Sequence, residues 1–499
     1  MNTEIRLTAP NGRKFTQPTG LFINNEFVKS VSGATIQSIN PTDESVIASV
    51  YVAGRDDVDL AVEAARKAFR TKPWADLSPT SRGKLLLRLA DLVDEHRESL
   101  ATIETWDNGK PYMASLKGDL PEVSLTLRYY AGWADKISGR TIPTTAAKLA
   151  YTLRQPVGVV GQIIPWNYPL GMAAWKLGPA LACGNTVVLK AAEQTPLSIL
   201  YLAKLVKLAG FPTGVVNILN GYGRDCGAAL VQHPDVDKIA FTGSTATGRQ
   251  IMQQAALTIK NVTLETGGKS PLLVFEDADL DQAAKWAHRG VMSNQGQVCC
   301  ATSRIMVHES IHDQFLSLLK DTVSTVSIVG DPFAESTFQG PQVSAAQYER
   351  VLSYFASGVR QGATLSAGGT AYNVNGKGFF VAPTIFTKVT PDMEIYREEI
   401  FGPCVVIVPF KSEDEAIQLA NDSIYGLGAG IFTSNIARAH RLATELEAGM
   451  VWINSSASSD PRIPFGGVKQ SGIGRELGEA ALEVYTQVKA VHVNLGTRL

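Results

Sequence analysis

The sequence is poor in the residues that build metal centres and disulfide frameworks. Only five cysteines occur in 499 residues, Cys183, Cys226, Cys299, Cys300 and Cys404, an odd number without metal-type spacing. A disulfide scaffold is thereby excluded, and a reducing compartment is the expectation. The seven histidines are scattered. His308 and His312 stand four apart, but the intervening Glu309-Ser310-Ile311 lacks a zinc-protease signature, so the pair reads as a solvated strand-to-helix junction. Neither a metal site nor a hydrolase triad has support. Charge of one sign is also missing. Lys plus Arg number 46 against 47 Asp plus Glu, which gives nucleic acid or an anionic membrane no electrostatic handle. Apolar runs such as Val157 to Ile164 are strand-length, too short to span a bilayer. Met1 to Gly20 has no apolar stretch, and its basic residues are Arg6, Arg13 and Lys14. The C-terminal Thr497-Arg498-Leu499 is a poor match to a peroxisomal tripeptide, so the expected location is the cytoplasm.

What is present is a globular composition, 45% hydrophobic and 19% charged, on a chain too long for one core. Two or three domains are expected, without repeats. Phe22 to Phe27 reads as a hairpin around Asn24-Asn25, and Asp57 to Phe69 and Thr80 to Thr102 carry helical spacing. From Val157 strands and helices alternate: strands Val157 to Ile164, Asn185 to Lys190, Val215 to Leu219, Lys238 to Thr242 and Val262 to Glu265, with helices Pro196 to Ala209 and Ala246 to Ala255. That rhythm predicts a doubly wound parallel sheet. A second series begins after Ser270, with strands Pro271 to Phe275, Arg304 to Val307, Cys404 to Pro409, Ala429 to Phe432 and Met450 to Asn454. Its helices are Leu280 to Ser293 and Ile311 to Val323, and the break falls near Gly267-Gly268. The tail, Val484 to Val493, predicts a strand that needs a partner, either Lys148 to Arg154 or another subunit.

Four segments carry chemistry-bearing residues. Asn294-Gln295-Gly296-Gln297-Val298-Cys299-Cys300 ends a helix on glycine and then presents thiols. A nucleophile and a pair of small buried hydrophobes are both open readings there. Glu265 stands at a strand end before Gly267-Gly268, where parallel sheets bind ligands; it reads as a general base or as a cap. Pro165-Trp166-Asn167-Tyr168-Pro169 stiffens a loop that carries an amide donor suited to an oxyanion, or a plain turn. Phe241 to Gly248 forms a strand, a Gly-containing turn and a helix start, suited to a pyrophosphate but lacking the spacing of the usual dinucleotide fingerprint. Lys190 and Glu193 add a cation and a carboxylate fit for ribose hydroxyls.

Taken together these segments resemble the aldehyde dehydrogenase superfamily, in particular its NAD-dependent tetrameric branch of the class 1/2-like, fungal type. Pro165-Trp166-Asn167, Leu264 to Pro271, Gly296 to Cys299, Glu399-Ile400-Phe401-Gly402-Pro403 and Pro464-Phe465-Gly466-Gly467 occur in the family's order and spacing, and the resemblance runs from about Leu21 to the C-terminus. It implies an α/β fold: a Rossmann-like NAD-binding domain (1–136 and 154–266), an α/β catalytic domain (267–476) and a small β oligomerisation arm (137–153 and 477–499). It further implies Cys299 as nucleophile, Glu265 as base, Asn167 with the Cys299 amide as oxyanion donors, and Lys176 with Glu476 as a proton relay. NAD would lie along Ile163, Pro165, Trp166 and Gly243, with Lys190 and Glu193 on the adenosine ribose, Ser244 on the pyrophosphate, Glu399 on the nicotinamide ribose and Phe401 near the ring. The implied reaction oxidises an aldehyde to its carboxylic acid through a cysteine thiohemiacetal and a thioester, which water then hydrolyses, in a homotetramer. Glu265 favours hydrolysis over transfer to coenzyme A, and Glu193 favours NAD over NADP.

By the same resemblance Tyr168, Met172, Trp175, Ser293, Val298, Cys300 and Phe465 line the substrate tunnel, a lining suited to an apolar aldehyde tail. Asn454 to Asp460 is small and polar, and Ser293 is small, which predicts a wide mouth tolerant of bulky or polar aldehydes. Arg289 and Arg462 read as solvated surface arginines rather than as a carboxylate-binding pair. A reading of another class stays open: a catalytically silent scaffold that keeps the fold and the NAD site.

Overall fold

Uninterrupted runs of aliphatic and β-branched residues set up strands covered on both faces, the condition for a parallel sheet. A computed structural model describes residues 2–498 and contains two such sheets. In the first, β1 (Val159–Ile163), β2 (Thr186–Ala191), β3 (Val216–Asn220) and β4 (Lys238–Thr242) are buried at every position, and β5 (Asn261–Glu265) is buried in its last three residues. All five run parallel in the order β5-β4-β1-β2-β3. The hairpin of Leu21–Ile23 and Glu26–Val28 joins antiparallel beside β3, its turn made by Asn24 (φ 54) and Asn25 (φ 61) as a tight hairpin requires. Strand order reverses between β1 and β4, so their carboxyl ends diverge around a crevice, the place where doubly wound sheets bind ligands.

Two helices start at that crevice. α1 (Pro169–Ala182) follows β1 with proline at its first position and is buried at all but one residue, Lys176 included. α2 (Thr245–Ala255) follows β4, and the Ser244 side chain caps it by accepting from the Thr247 amide.

The second sheet contains β6 (Pro271–Val274), β7 (Arg304–His308), β8 (Thr364–Ala367), β9 (Thr384–Thr387), β10 (Cys404–Phe410), β11 (Gly428–Phe432) and β12 (Met450–Ile453). Their order is β8-β9-β10-β7-β6-β11-β12, with only β8 antiparallel to its neighbour. α3 (Leu280–Met292) covers one face from an Asp279 cap. Arg304 fastens this sheet from inside. It is 1% exposed, and its guanidinium donates to the carbonyls of Lys269 (2.8 Å), Leu419 (3.1 Å) and Ala420 (2.9 Å).

The expected elements are present with four differences. Thr80 to Thr102 is not one helix but two, Pro79–Glu95 and Arg97–Asn108. The chain turns at His96, whose ring nitrogen bonds the Tyr201 hydroxyl at 3.0 Å; this tertiary contact leaves no glycine or proline as a sign. The tail strand begins at Thr486, after a short helix Ala480–Val484, and pairs with Lys148–Pro156 of its own chain from Thr486↔Pro156 to Asn494↔Lys148. Two N-terminal hairpins, Glu4–Thr8 with Lys14–Pro18 and Thr35–Ile39 with Val46–Tyr51, stand outside the two series. Finally, Gly472–Ile473 leaves the second series to pair antiparallel with β5 of the first sheet. No helix among the described residues is long and apolar enough to cross a membrane.

Arg304→Met should strand the three carbonyls it serves, each an uncompensated buried acceptor. The expected cost is about 3–5 kcal/mol, visible as a lower urea midpoint; an unchanged or higher midpoint would show that Arg304 is merely tolerated.

Candidate active site

The carboxyl edge of the first sheet faces the amino edge of the second across a cavity of about 590 Å³. From the first sheet come Pro165, Trp166, Asn167 and Tyr168 after β1, Thr242, Gly243 and Ser244 after β4, and Glu265 to Gly267 at the end of β5. The second unit supplies Val298, Cys299 and Cys300 ahead of β7, and Glu399 and Phe401 ahead of β10.

Cys299 is placed by an unusual turn. After α3, Asn294 (φ 49) and Gln295 (φ 58) both adopt left-handed backbone, and Gly296 follows at φ 72. Such conformations are costly for residues with a Cβ and persist only when neighbours over-determine them. Gln295 donates to the carbonyls of Gly109 and Pro341 at 3.0 Å each, and Asn294 donates to the Asn167 carbonyl at 3.1 Å. The Gln297 side chain accepts from the Val343 amide at 3.0 Å. At Gly296 a Cβ would sit 2.0 Å from the Gly402 carbonyl oxygen, so glycine is obligatory there. The turn ends by placing Cys299 half-buried, while Cys183, Cys226, Cys300 and Cys404 are buried.

Asn167 faces this turn. Its side-chain amide donates to the Gln297 carbonyl at 2.9 Å, which leaves the second N–H of the amide free of that bond. Glu265 is 3% exposed, with no hydrogen-bond partner on either carboxylate oxygen. Burial, reinforced by the charge of Glu476, pushes its pKa well above the ordinary carboxylate range. The Cys299 thiol is likewise pushed up, first by its hydrogen bond with Cys300, then by burial and by the charges of Glu399 and Glu265. Glu399 accepts from the Gly268 amide at 3.1 Å, and burial raises it to about 7. A Cβ on Gly267 would lie 2.3 Å from the Glu399 carboxylate, so a larger residue there would displace Glu399.

All the tunnel residues expected from sequence line the cavity: Tyr168, Met172, Trp175, Ser293, Val298, Cys300 and Phe465. Trp175 and Phe465 meet edge to face at 4.9 Å, and Trp166 and Phe401 do so at 5.2 Å. Five of the expected site residues lie off the lining. Lys176 and Glu476 form a buried ion pair of 2.5 Å behind Glu265, and Lys176 also donates to the Thr242 hydroxyl at 2.7 Å. Ile163 is buried at the end of β1, and Lys190 pairs with Glu193 at 3.1 Å beside the end of β2. Of the two arginines, Arg289 lines the cavity with its guanidinium 5.3 Å from the Trp286 ring, whereas Arg462 is off it, tied to Asp460 at 2.6 Å.

The structure adds residues that sequence reading passed over. Asp119 and Glu122 line the cavity beside Tyr168. Both lie within one helical run from Tyr112 to Trp133 that carries a π-helical turn at Ser115–Asp119, where acidic residues ordinarily face solvent and so carry no signal. Asp119 is held by Lys110, whose ammonium lies 3.8 Å from the Tyr168 ring centre. Glu122 accepts from the Ser459 hydroxyl at 3.2 Å. Trp452, Ala457, Ser458 and Ser459 complete the mouth, so the small loop does border it.

With its pKa raised, Cys299 is protonated at neutral pH, and its thiolate fraction grows tenfold for each pH unit below that pKa. Iodoacetamide should therefore modify Cys299 ahead of the other four thiols, at a rate rising about tenfold from pH 7 to pH 8, read by peptide mass mapping. A flat pH response would show that the thiol is already ionised.

The sequence matches the aldehyde dehydrogenase family over residues 27–491. It is 55% identical to an aldehyde dehydrogenase of Emericella nidulans over 97% of each chain. Its fold superposes on the NAD+ complex of an aldehyde dehydrogenase from Bacillus cereus with a TM-score of 0.94 at 52% identity, covering 96% of this chain and 97% of the other. Betaine aldehyde dehydrogenase from Staphylococcus aureus in complex with NAD+ superposes with a TM-score of 0.95 at 40% identity, over 97% of this chain and 96% of the other. The chain belongs to the aldehyde dehydrogenase family.

Proposed function

We propose that this chain oxidises aldehydes to carboxylic acids with NAD, through a covalent intermediate on Cys299. One observation carries the reading: the most accessible thiol, an amide donor and a desolvated carboxylate converge on one cavity between two sheet edges.

NAD fits the residues present. The N-terminus of α2 at Ser244 offers backbone donors to a pyrophosphate, and the crevice between β1 and β4 is the dinucleotide position of a doubly wound sheet. Lys190 and Glu193 would take the adenosine ribose, Glu399 the nicotinamide ribose, and Trp166 with Phe401 would border the ring. When bound, NAD supplies the hydride acceptor that turns the thiohemiacetal into a thioester. The chain's own residues do the rest. The Cys299 thiol gives its proton to water in the cavity as the sulfur adds to the aldehyde carbon, and the oxyanion is met by the free N–H of Asn167 and the Cys299 amide. Glu265, its pKa raised by burial, takes a proton from the water that hydrolyses the thioester. A base with that poise suits a thioester, which needs an activated water, better than transfer to a soluble thiol.

The finer assignment is a broad-range aldehyde:NAD oxidoreductase. Aromatic and thioether side chains favour apolar tails, and the small loop at the mouth leaves room for bulk. The carboxylates of Asp119 and Glu122 on the lining oppose an anionic substrate, which supports the solvated reading of Arg289 and Arg462. A homotetramer is part of the proposal. The three-stranded sheet of Thr141–Ile142, Lys148–Pro156 and Thr486–Asn494 exposes Ile142, Leu149, Leu153 and Val488, an apolar surface suited to another subunit. Five free cysteines agree with a cytoplasmic location.

The test is NADH formation from NAD with aliphatic, aromatic and acidic aldehydes, comparing the parent protein with Cys299→Ala. Activity abolished by the substitution supports the reading, and preference for neutral aldehydes over succinic semialdehyde of similar length supports the finer one. NAD binding without turnover on any aldehyde would favour a silent scaffold. Asn167→Ala is expected to lower kcat about 100- to 1000-fold with a smaller change in KM, the loss typical of one oxyanion donor. Glu193→Ser should raise kcat/KM with NADP relative to NAD, because a carboxylate near the 2′-position repels a phosphate. An unchanged ratio would remove Glu193 from cofactor selection.

A further inference from the structure

Glu265 gathers protons where few exits exist. In the function proposed above each turnover loads it with a proton, and reactants then fill the cavity it faces. While they fill it, a route from Glu265 to bulk water runs through protein.

The register of β4 and β5 supplies one. Parallel pairing sets Thr242 beside Glu265, Ala240 beside Thr263, and Lys238 beside Asn261. Alternation places these side chains on one face, a stripe about 13 Å long in which only Ala240 lacks a polar group. Gln162 of β1 pairs with Ala240 and shares that face. At the catalytic end, Lys176 donates to Thr242 and to Glu476, whose second carboxylate oxygen is buried without a partner. At the far end Lys238 is fully buried and donates to the Thr263 hydroxyl and to the Asn261 side chain at 2.8 Å. Asn261 itself is exposed. Between the ends lies Tyr485, its ring centre 5.3 Å from the Lys238 ammonium. The stripe thus begins at the base and ends in solvent. The orphaned carboxylate oxygens of Glu265 and Glu476 at its catalytic end, and the orphaned amide oxygen of Gln162 beside Ala240, are the usual partners of bridging water.

Lys238 also has the chemistry of a relay. Both its acceptors are neutral oxygens, and burial lowers its pKa to about 7, against the raising effect of Glu476 and with a small push from Lys176. Tyr485, the other titratable group facing it, is held protonated by burial. An amine balanced between its two forms near neutral pH both accepts and releases protons readily.

We propose that Lys238 is the exit relay for protons collected by Glu265, and that the paired strands β4 and β5 are the path. A proton lost by Glu265 to Glu476 is matched by one taken up by the neutral Lys238 amine through Lys176, Thr242 and bridging water. The Lys238 ammonium then gives a proton to solvent beside Asn261, and no other bond forms or breaks. The proposal rests on Glu265 acting as the base.

Lys238→Met tests it by pre-steady-state kinetics. The NADH burst of the first turnover should persist at the parent's amplitude, since an empty Glu265 takes one proton unaided. Steady-state kcat at pH 7 should fall about tenfold, with a larger solvent isotope effect and a weaker inflection near pH 7, since Glu399 titrates there as well. Lys238→Arg, which keeps a cation but does not titrate there, should behave the same way; recovery by arginine would make the role structural and overturn the relay. A folded Lys238→Met protein with the parent's kcat, pH profile and isotope effect would overturn it as well. Should that variant not fold, Asn261→Leu at the exposed end leaves Lys238 in place and should lower kcat severalfold without changing KM; an unchanged kcat overturns the proposal. A parent protein that makes no NADH takes down the function and the relay together.

Discussion

The buried ion pair of Lys176 and Glu476 is the contact on which the rest of the site depends. It joins the middle of the helix after β1 to the segment that crosses back from the second series to edge β5. Both ions are almost wholly out of water, so the pair persists only with further partners; Thr242 supplies one at the end of β4. Through these links the ends of β1, β4 and β5 are held in one arrangement, and those are the ends that carry Asn167, Ser244 and Glu265. Glu476 also places a negative charge behind Glu265, which helps keep the base poised rather than permanently ionised.

Reactivity in this cavity comes from groups held away from their ordinary solution states. Glu265, Glu399 and Cys299 all have raised pKa values, with burial among the causes in each case. A raised pKa lowers the thiolate fraction and so slows oxidation and alkylation of Cys299, whereas a positive charge nearby would favour the thiolate. Stability is given up for it: Asn294 and Gln295 hold left-handed backbone, and three side-chain hydrogen bonds from these two residues to loop carbonyls keep it in place.

The sequence made the strand cores and the motif order readable because both depend on local composition. β1 to β4 are buried throughout and were visible as apolar runs, and the Asn24-Asn25 turn was visible because asparagine tolerates positive φ. Glu265 and Cys299 were legible as chemistry only in company, through a resemblance that covers the chain. The helix break at His96 was not legible, since it arises from a contact with Tyr201 more than a hundred residues away. Nor was the return of Gly472–Ile473 to the first sheet, which no local propensity encodes. Asp119 and Glu122 failed for the opposite reason: acidic residues on a helix ordinarily face solvent, and only the fold turns them toward a cavity.

Lys238 shows the same limit at the level of a single residue. In sequence it opens a strand, Lys238 to Thr242, and a lysine at a strand end is expected to reach solvent. Here the edge is covered, so the ammonium turns inward and meets two neutral oxygens. Whether a lysine is a solvated tip or a titrating group near neutral pH is decided by what closes over it, in this case Tyr485 of the segment that returns at the end of the chain. The same closing segment carries Glu476. Tyr485 lies in the stretch that sequence alone marks as a tail and Glu476 shortly before it, so the last part of the chain sets the electrostatics of both ends of the β4–β5 stripe and completes the catalytic face of the first sheet.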